Sequence, residues 1–381
     1  MHLRPVQSWL RRALLSTSAL ALAACGSGGT PDTPVNDAST PLPDSGVQDA
    51  AKKDGQPPPN DATTPGCGTC PQGYTCGKAN GLDVCRAASG VPLFSHVVVI
   101  LMENTTLATL ATAEGNGGAP NLAAMKAKYA TGSNYHGLVH PSLPNYIALT
   151  SGDTQGITCD CKAAPNQGTC NVATCNLVLG NCSCGKPALS IADQLETAKK
   201  TWAEFGEDMG TPCNTTSAGG YAVRHVPFLY FDGIRNDATR CQAHVLDLTK
   251  LDLSAAPAFT FIAPNLTHDM HDPFPATATN LKNGDDWLGP EVDSIVKSTA
   301  YTQGGLLVVV WDEDDASGGV SGTDDPVPIF VMSPYAKSGG FVSATKADHY
   351  ALLATFEDGL GLPRMGKATQ ATPLADYFPA N

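Results

Sequence analysis

Four continuous apolar runs constrain how this chain can fold, because none of them contains an acidic or basic side chain other than one histidine. They lie at residues 96–102, 258–263, 305–311 and 327–332. Runs of this length without polar alternation are typical of strands buried on both faces of a parallel sheet. Helical patterns alternate with them at residues 120–130, 190–200 and 348–358. The sequence therefore predicts an α/β fold, a three-layer α/β/α sandwich with a mainly parallel central sheet.

Oxygen-bearing side chains follow three of these runs. Glu103 and Asn104 come after the first, residues 265–272 after the second, and Asp312 and Glu313 after the third. Ligands of open α/β sheets bind beyond the carboxyl ends of the strands. For any one group a solvated loop is the alternative, because Asp and Asn are favoured in turns. All three at one edge indicate a binding site.

Carboxylates gathered in this way repel one another unless a cation or protons accompany them. Carboxylate and amide oxygens favour Ca²⁺, Mg²⁺ or Mn²⁺, and imidazole ligands keep Zn²⁺ or Fe²⁺ open. We therefore expect one or more divalent metal ions of open identity. Among the loop histidines, His271 is the first candidate to bind a phosphoryl oxygen or to protonate a leaving group, and His349 is the second.

Ser142 lies at a bend between a predicted strand at 134–139 and a predicted helix, with Pro141 and Pro144 beside it. A serine at a helix start is most often an N-cap. The same position also aims the hydroxyl at the positive end of the helix, which attracts phosphate. Because coordination to a metal activates serine, Ser142 is a candidate nucleophile.

The cysteines fall into groups. Of the 13 in the chain, four lie at residues 67–89, six at 157–186, and Cys213 and Cys241 stand apart. Cys-x-x-Cys spacing also fits zinc, but export to an oxidising compartment favours disulfides. We expect a small disulfide module at 67–89, a disulfide-tied insertion at 157–186 with open pairing, and a Cys213–Cys241 bridge.

Residues 1–25 have the pattern of a lipoprotein signal peptide, with Arg11 and Arg12 before an apolar run that ends at Cys25. This pattern predicts cleavage before Cys25 and lipid attachment to it, whereas ordinary signal cleavage is the alternative. Residues 26–66 are rich in Pro, Asp, Thr, Ser and Gly and predict a disordered tether. The expected location is the bacterial cell envelope, lipid-anchored, in the outer membrane by preference, or else secreted.

The remaining residues, 90–381, predict one catalytic domain that contains the insertion. The net charge of −13 argues against a nucleic-acid partner, because a phosphate backbone would be repelled. The only contact with a membrane that the sequence supports is the lipid on Cys25.

Five segments taken together resemble the bacterial phosphoesterase family, which includes secreted acid phosphatases and phosphatidylinositol-3-phosphate phosphatases and is related to phospholipases C. The resemblance covers residues 94–365 and implies an alkaline-phosphatase-like fold. Its motifs are Met-Glu-Asn at 102–104, His-Pro-Ser-Leu-Pro-Asn-Tyr at 140–146 with Leu-Thr-Ser-Gly at 149–152, Asp-Met-His-Asp at 269–272, Trp-Asp-Glu-Asp at 311–314, and Asp-His-Tyr at 348–350 with Glu-Asp at 357–358.

The resemblance implies a role for each matching residue. Ser142 would be the catalytic nucleophile, and His271 would act at the leaving group or on the phosphate. The implied metal ligands are Glu103, Asn104, Asp312 and Glu313. The implied substrate- or phosphate-binding residues are His140, Asn145, Asp269 and His349. The extra acids Asp314 and Asp315 leave the ligand count open.

We therefore predict a metal-dependent phosphoric monoester hydrolase with a serine nucleophile. It would be acid phosphatase-like, acting on a small-molecule or lipid phosphate ester such as a phosphoinositide 3-phosphate. A phospholipase C-type phosphodiesterase and a non-catalytic surface lipoprotein are the alternatives.

Overall fold

The computed structural model describes residues 66–166, 170, 182–271, 280–314 and 325–380. The predicted signal peptide, Cys25 and nearly all of the tether lie outside these residues. The described chain begins with an antiparallel hairpin of β1 (Tyr74–Ala79) and β2 (Leu82–Ala87). Disulfides Cys67–Cys76 and Cys70–Cys85 bind this hairpin to the segment before it, as predicted for the N-terminal module.

Eight strands form the central sheet, in the order β11-β4-β10-β9-β3-β8-β6-β7, and β5 pairs with β12 in a separate sheet. Only β10 runs antiparallel to its neighbours β9 and β4, so the predicted mainly parallel sheet is confirmed. The strands are β3 (Val97–Met102), β4 (Ala130–Gly132), β5 (Tyr135–His136), β6 (Trp202–Gly206), β7 (Val245–Asp247), β8 (Phe259–Ala263), β9 (Leu306–Trp311), β10 (Ile329–Met332), β11 (Val342–Ser343) and β12 (Ala347–Asp348).

Helices cover both faces of this sheet. Every residue of β3, β8 and β9 is buried. The connections from β3 to β4 and from β8 to β9 cross the sheet in one direction and the connection from β4 to β6 crosses in the other, so right-handed crossovers place their helices on opposite faces. The helices are α1 (Leu107–Gly115), α2 (Pro120–Lys128), α3 (Ser142–Ser151), α4 (Ile191–Thr197), α5 (Asp232–Arg235), α6 (Ala238–His244), α7 (Asn280–Lys297), α8 (Thr299–Thr302) and α9 (His349–Leu360).

The packing agrees with this division. Helix α2 packs on α1 and α7, whereas α3 packs on α9. The α/β class and the layered arrangement are therefore as predicted. None of the helices in the described segments is both long and apolar enough to cross a bilayer.

Local signals explain most helix boundaries. Ser190 and Asp193 form a capping box at the start of α4. Helix α3 ends at Gly152, whose φ of +72° is left-handed, and a Cβ there would lie 2.5 Å from the Met365 carbonyl oxygen. Glycine is therefore required at this position by both conformation and space.

The predicted strand at 134–139 is shorter than expected. Only Tyr135–His136 pairs, and it pairs with β12 outside the main sheet. The backbone N–H groups of Leu138 and Val139 donate instead to the Asn145 side chain, at 2.9 and 3.3 Å. Those hydrogen bonds turn the chain toward helix α3.

The predicted Cys213–Cys241 disulfide is present. In the insertion at 157–186, the Cys184 sulfur lies against both Cys161 and Cys170. Cys175 lies outside the described residues, so the pairing within this insertion stays open.

A buried carboxyl group on α9 links the fold to pH. Glu357 is fully buried, and its Oε1 accepts hydrogen bonds from Met365 N at 2.8 Å and from Gln194 Nε2 at 3.2 Å. Its Oε2 is buried without a hydrogen bond in the described part of the chain. Burial raises the pKa of Glu357 from 4.5 to about 8. The carboxyl group is therefore protonated in the folded protein at neutral pH.

Because the pKa of Glu357 is higher in the folded than in the unfolded chain, its stabilisation is complete below about pH 4.5 and is lost as the pH rises through about 8. Glu357→Gln should flatten this dependence. As the pH rises between these two values, we expect the free energy of unfolding of the wild type to fall more steeply than that of Glu357→Gln, by up to about 1.4 kcal/mol per pH unit. Denaturant unfolding across this range measures it, with exposed Asp286→Asn as the control. Identical slopes for wild type and Glu357→Gln would contradict the assignment.

Candidate active site

The carboxyl ends of β9, β3 and β8 lie side by side and bring three acidic residues together. Asp312, Glu103 and Asp269 follow these strands, and each is fully buried. The Asn104 backbone N–H donates to Asp312 Oδ1 at 3.1 Å. Asn104 and Met270 have positive φ angles of 33° and 76°. Non-glycine residues in this conformation carry strain, which is common beside functional sites.

Ser142 is the first residue of α3 and directs its hydroxyl into this group. The N-cap residue is Pro141, which makes no side-chain hydrogen bond to the helix. Ser142 Oγ donates to Glu103 Oε2 at 2.7 Å and lies 3.4 Å from Glu313 Oε1. The alternative that Ser142 is only an N-cap is therefore wrong, since its hydroxyl is bound to carboxylates rather than to the helix backbone.

The second oxygen of Glu103 faces an aromatic pair. Tyr146 OH donates to Glu103 Oε1 at 2.7 Å, and His225 Nε2 lies 3.1 Å from the same oxygen. The rings of Tyr146 and His225 stack with centroids 5.3 Å apart. Burial raises the pKa of Glu103, and burial lowers the pKa of His225 well below its usual value. His225 is therefore a neutral imidazole in contact with a buried carboxyl group.

Glu313 accepts hydrogen bonds from three neighbours. They are His140 Nδ1 at 3.0 Å, Asn145 Nδ2 at 3.0 Å and Asn104 Nδ2 at 3.2 Å. The second ring nitrogen of His140 lies 2.8 Å from Asp314 Oδ1. The hydrogen bond to Glu313 raises the pKa of His140 to about 9, so the ring is an imidazolium at neutral pH. It offsets part of the negative charge at the site.

The donors at the centre of the site fit a hard divalent cation. Asn104 Oδ1 and Asp312 Oδ2 are buried and make no hydrogen bond within the described residues. Burial and the nearby Glu103 and Glu313 raise the pKa of Asp312 well above its usual value. Oxygens that lack a donor and carboxylates that repel one another are what a divalent ion would satisfy.

The spacing of these groups is wider than in a compact triad of charged ligands. In the described ranges, the sets of three His, Cys, Asp or Glu ligand atoms within 4.8 Å of one another contain only cysteines. The Asn104 side chain, whose Nδ2 donates to Glu313 at 3.2 Å, and the Ser142 hydroxyl adjoin these carboxylates and add neutral oxygen donors to the set.

Asn145 and His349, which are predicted to bind substrate, are both fully buried and bonded to protein groups. Asn145 bonds the Leu138 and Val139 backbone and Glu313. His349 Nδ1 pairs with Tyr135 OH at 2.9 Å, and its Nε2 pairs with the Asp312 carbonyl oxygen at 2.6 Å. Both side chains therefore position the chain around the site.

Asp269 is likewise buried, and its role is to orient its neighbours. Its carbonyl oxygen accepts from Glu103 N at 2.8 Å, and its Oδ1 accepts from His271 N at 3.0 Å. His271 is thereby held beside Asp269, whose carbonyl oxygen bonds Glu103 N. Asp272 and Asp315 lie outside the described residues. The structure therefore brings Ser142, His271, His140 and the predicted metal ligands to one place.

Four further site residues received no role from the sequence. Tyr146 lies in the motif at 140–146 but has no predicted role of its own. Arg224 and His225 belong to a 3₁₀ turn (Val223–His225) that follows no predicted strand and carries no motif. Asp160 comes from the cysteine-rich insertion and accepts a hydrogen bond from Leu143 N at 3.0 Å. No sequence signal identified the last three.

The sequence profile of the Phosphoesterase family matches residues 115–363. The chain is 32% identical over 294 residues to the phosphatidylinositol-3-phosphatase of Mycobacterium tuberculosis, covering 77% of this chain and 85% of that protein. It is 27% identical over 285 residues to the phosphate-repressible acid phosphatase of Penicillium chrysogenum, covering 72% of this chain and 61% of the fungal one. This chain thus spans less than two thirds of the fungal protein.

Among solved structures, a protein of the alkaline phosphatase superfamily from Vibrio parahaemolyticus aligns with a TM-score of 0.49 at 11% identity, covering 81% of this chain and 76% of that chain. The profile match and the relative above 30% identity establish that the chain belongs to the Phosphoesterase family. The predicted enzyme class, a hydrolase of phosphate esters, is confirmed at this level, and the non-catalytic alternative falls away.

The positioning role of Asn145 has a measurable consequence. Asn145→Ala removes the acceptor of two backbone N–H groups and one donor to Glu313. We expect the free energy of unfolding to fall by about 2–4 kcal/mol, since buried groups lose their partners, while KM changes little. Chemical denaturation and steady-state kinetics measure both, with Asn134→Ala as the control, whose side chain bonds the exposed Ala344 carbonyl oxygen and a ring nitrogen of His136. A large rise in KM without loss of stability would show direct substrate contact instead.

Proposed function

We propose that this protein is a metal-dependent phosphoric monoester hydrolase that uses Ser142 as its nucleophile. The observation that carries the proposal is the position of Ser142 Oγ, 2.7 Å from Glu103 Oε2 at the meeting point of buried carboxylates. A hydroxyl placed in this way has an acceptor for its proton and lies at the start of a helix, which favours an approaching phosphate.

Ser142 Oγ attacks the phosphorus atom in line with the leaving oxygen and passes its proton toward Glu103. A Ser–O–P bond forms as the bond from phosphorus to the alcohol oxygen breaks. His271, oriented by Asp269, donates a proton to that oxygen. Water then attacks the phosphoserine, which releases inorganic phosphate and restores the Ser142 hydroxyl. His140, held as an imidazolium by Glu313, contributes positive charge at the rim of the site.

Glu103, Asn104 and Asp312 would hold the metal ion, with Glu313 as the fourth predicted ligand. When bound, a divalent ion supplies positive charge that makes a hydroxyl more acidic and offsets charge on the phosphoryl oxygens. The two buried oxygens without hydrogen bonds, Asn104 Oδ1 and Asp312 Oδ2, support this assignment.

The names of the relatives support a monoester as the substrate. The mycobacterial relative is a phosphatidylinositol-3-phosphatase and the fungal one an acid phosphatase. We propose a small-molecule or lipid phosphate monoester, with a phosphoinositide 3-phosphate as the lipid candidate. A phospholipase C-type phosphodiesterase is the alternative, and faster hydrolysis of bis-p-nitrophenyl phosphate than of p-nitrophenyl phosphate would favour it.

We also propose that the protein is exported and anchored through a lipid on Cys25 in the bacterial cell envelope. The disulfides of the hairpin module and Cys213–Cys241 support an oxidising location. Metabolic labelling with a fatty acid, compared between wild type and Cys25→Ser, tests the anchor.

Replacing Ser142 by Ala should lower kcat for p-nitrophenyl phosphate about 10³-fold or more, because the nucleophile is lost. The matched control is Ser151→Ala in the same helix. The Ser151 hydroxyl donates to the backbone carbonyl oxygens of Ile147 and Asp153. The kcat of this variant should remain near that of the wild type. Equal turnover by Ser142→Ala and wild type would refute the serine mechanism.

Metal binding is tested apart from turnover. Asp312→Asn removes one charge from the predicted ligand set and should weaken Mn²⁺ or Zn²⁺ binding about tenfold or more, measured by titration calorimetry on metal-free protein. The exposed Asp286→Asn variant is the control for net charge. Unchanged affinity in Asp312→Asn would remove Asp312 from the metal site.

A further inference from the structure

Arg224 lies at the edge of the site, and the two terminal nitrogens of its guanidinium group have no hydrogen-bond acceptor among the described residues. Its side chain is 26% exposed, and its Nε lies 3.6 Å from Asp160 Oδ2. The other oxygen of Asp160 accepts from Leu143 N at 3.0 Å, one residue after Ser142. The guanidinium group is therefore placed beside the start of helix α3. The charges of Asp160, Glu103 and Asp269 raise its pKa against the effect of burial.

A phosphate at Ser142 needs cations besides a metal ion. Glu103, Asp312 and Asp269 are fully buried there, and they repel a phosphate dianion. The guanidinium group of arginine remains charged and donates two parallel hydrogen bonds to phosphate oxygens. Arg224 precedes His225, which contacts Glu103 at 3.1 Å, so its backbone is fixed close to the nucleophile.

Asp160 connects Arg224 to the nucleophile helix. Its Oδ1 accepts from Leu143 N at 3.0 Å, and its Oδ2 faces Arg224 Nε. Leu143 directly follows Ser142, and the N-cap residue Pro141 makes no side-chain cap bond. The Asp160 carboxylate thus caps the helix from outside and orients the guanidinium group at the same time.

The cysteine-rich insertion holds Asp160 in this place. Asp160 lies between Cys159 and Cys161, and the Cys161 sulfur is disulfide-bonded in the cluster around Cys184. The Cys159 sulfur lies 3.8 Å from that of Cys182. Lys162 N donates to the Cys182 carbonyl oxygen at 2.9 Å, and Tyr230 OH donates to the Cys161 carbonyl oxygen. Asp160 is therefore held within the insertion, which Tyr230 links to the rest of the domain.

We propose that Arg224 binds a phosphoryl oxygen of the substrate, and that Asp160 is a positioning residue through which the disulfide-tied insertion fixes Arg224 and the start of helix α3. This inference rests on the proposed phosphatase function, because it assigns a phosphate to the same site. Through Asp160 the insertion is then part of the substrate-binding apparatus.

The first test replaces the guanidinium group. Arg224→Ala should raise KM for p-nitrophenyl phosphate and the inhibition constant of inorganic phosphate about 10- to 100-fold, as loss of charge-assisted hydrogen bonds predicts. Arg224→Lys should restore part of this loss. Lys297→Ala, which removes an exposed cation paired with Asp293, should leave both constants unchanged. Wild-type constants in folded Arg224→Ala would overturn the proposal.

The second test separates positioning from folding. Asp160→Asn keeps an acceptor for Leu143 N and removes only the charge facing Arg224. We expect both constants to rise about 3- to 10-fold with little change in kcat or melting temperature. The triple variant Cys161→Ser/Cys170→Ser/Cys184→Ser should raise both constants by a similar factor. The double variant Cys67→Ser/Cys76→Ser in the hairpin module should leave them unchanged. Wild-type constants in Asp160→Asn would remove Asp160 from this role.

Calorimetric titration of metal-loaded protein with inorganic phosphate distinguishes this proposal from the function on which it rests. If the wild type binds phosphate without turning over substrate, and Arg224→Ala binds phosphate more weakly, the phosphate site stands and the hydrolase mechanism is refuted. Turnover with binding independent of Arg224 would sustain the hydrolase and refute the role of Arg224.

Discussion

Repulsion among buried carboxylates is the constraint around which this structure is organised. Glu103, Asp312 and Glu313 are removed from water within one site, and burial of like charges costs several kcal/mol unless donors or cations compensate. Ser142 and Tyr146 each donate a hydroxyl to Glu103. These bonds and the imidazolium of His140 offset part of the repulsion, and the proposed divalent ion would offset more. The proposed nucleophile, Ser142, is therefore also a structural partner of Glu103.

The parts of this arrangement that sequence could predict are those fixed by strand ends. Apolar runs define β3, β8 and β9, and a parallel sheet places their carboxyl ends at one edge. The residues that follow them therefore had to meet, as Glu103 and Asp312 do. The hydrogen bond from the Asn104 backbone N–H to Asp312 Oδ1 joins the ends of the adjacent strands β3 and β9. Here local pattern and topology carry the same information.

What could not be predicted depends on tertiary contacts made by loops. Asp160, Arg224 and His225 reach the site from an insertion and a 3₁₀ turn whose positions no local pattern specifies. Asn145 and His349 lie in motifs of the site, and the structure adds that their side chains bond other protein groups. Sequence shows that such residues belong near the site. Only the structure shows whether a side chain faces the substrate or supports a residue that does.

Buried carboxyl groups outside the site make the stability of the fold depend on pH. Glu204 lies fully buried on β6, accepts from Phe228 N at 3.2 Å, and has a pKa raised well above its usual value by burial. A folded state that holds such protons binds more of them than the unfolded chain, and so gains stability as the pH falls. This gain comes from the sheet rather than from the catalytic groups. Acid stability and the chemistry of the site can therefore vary independently in a protein of this architecture.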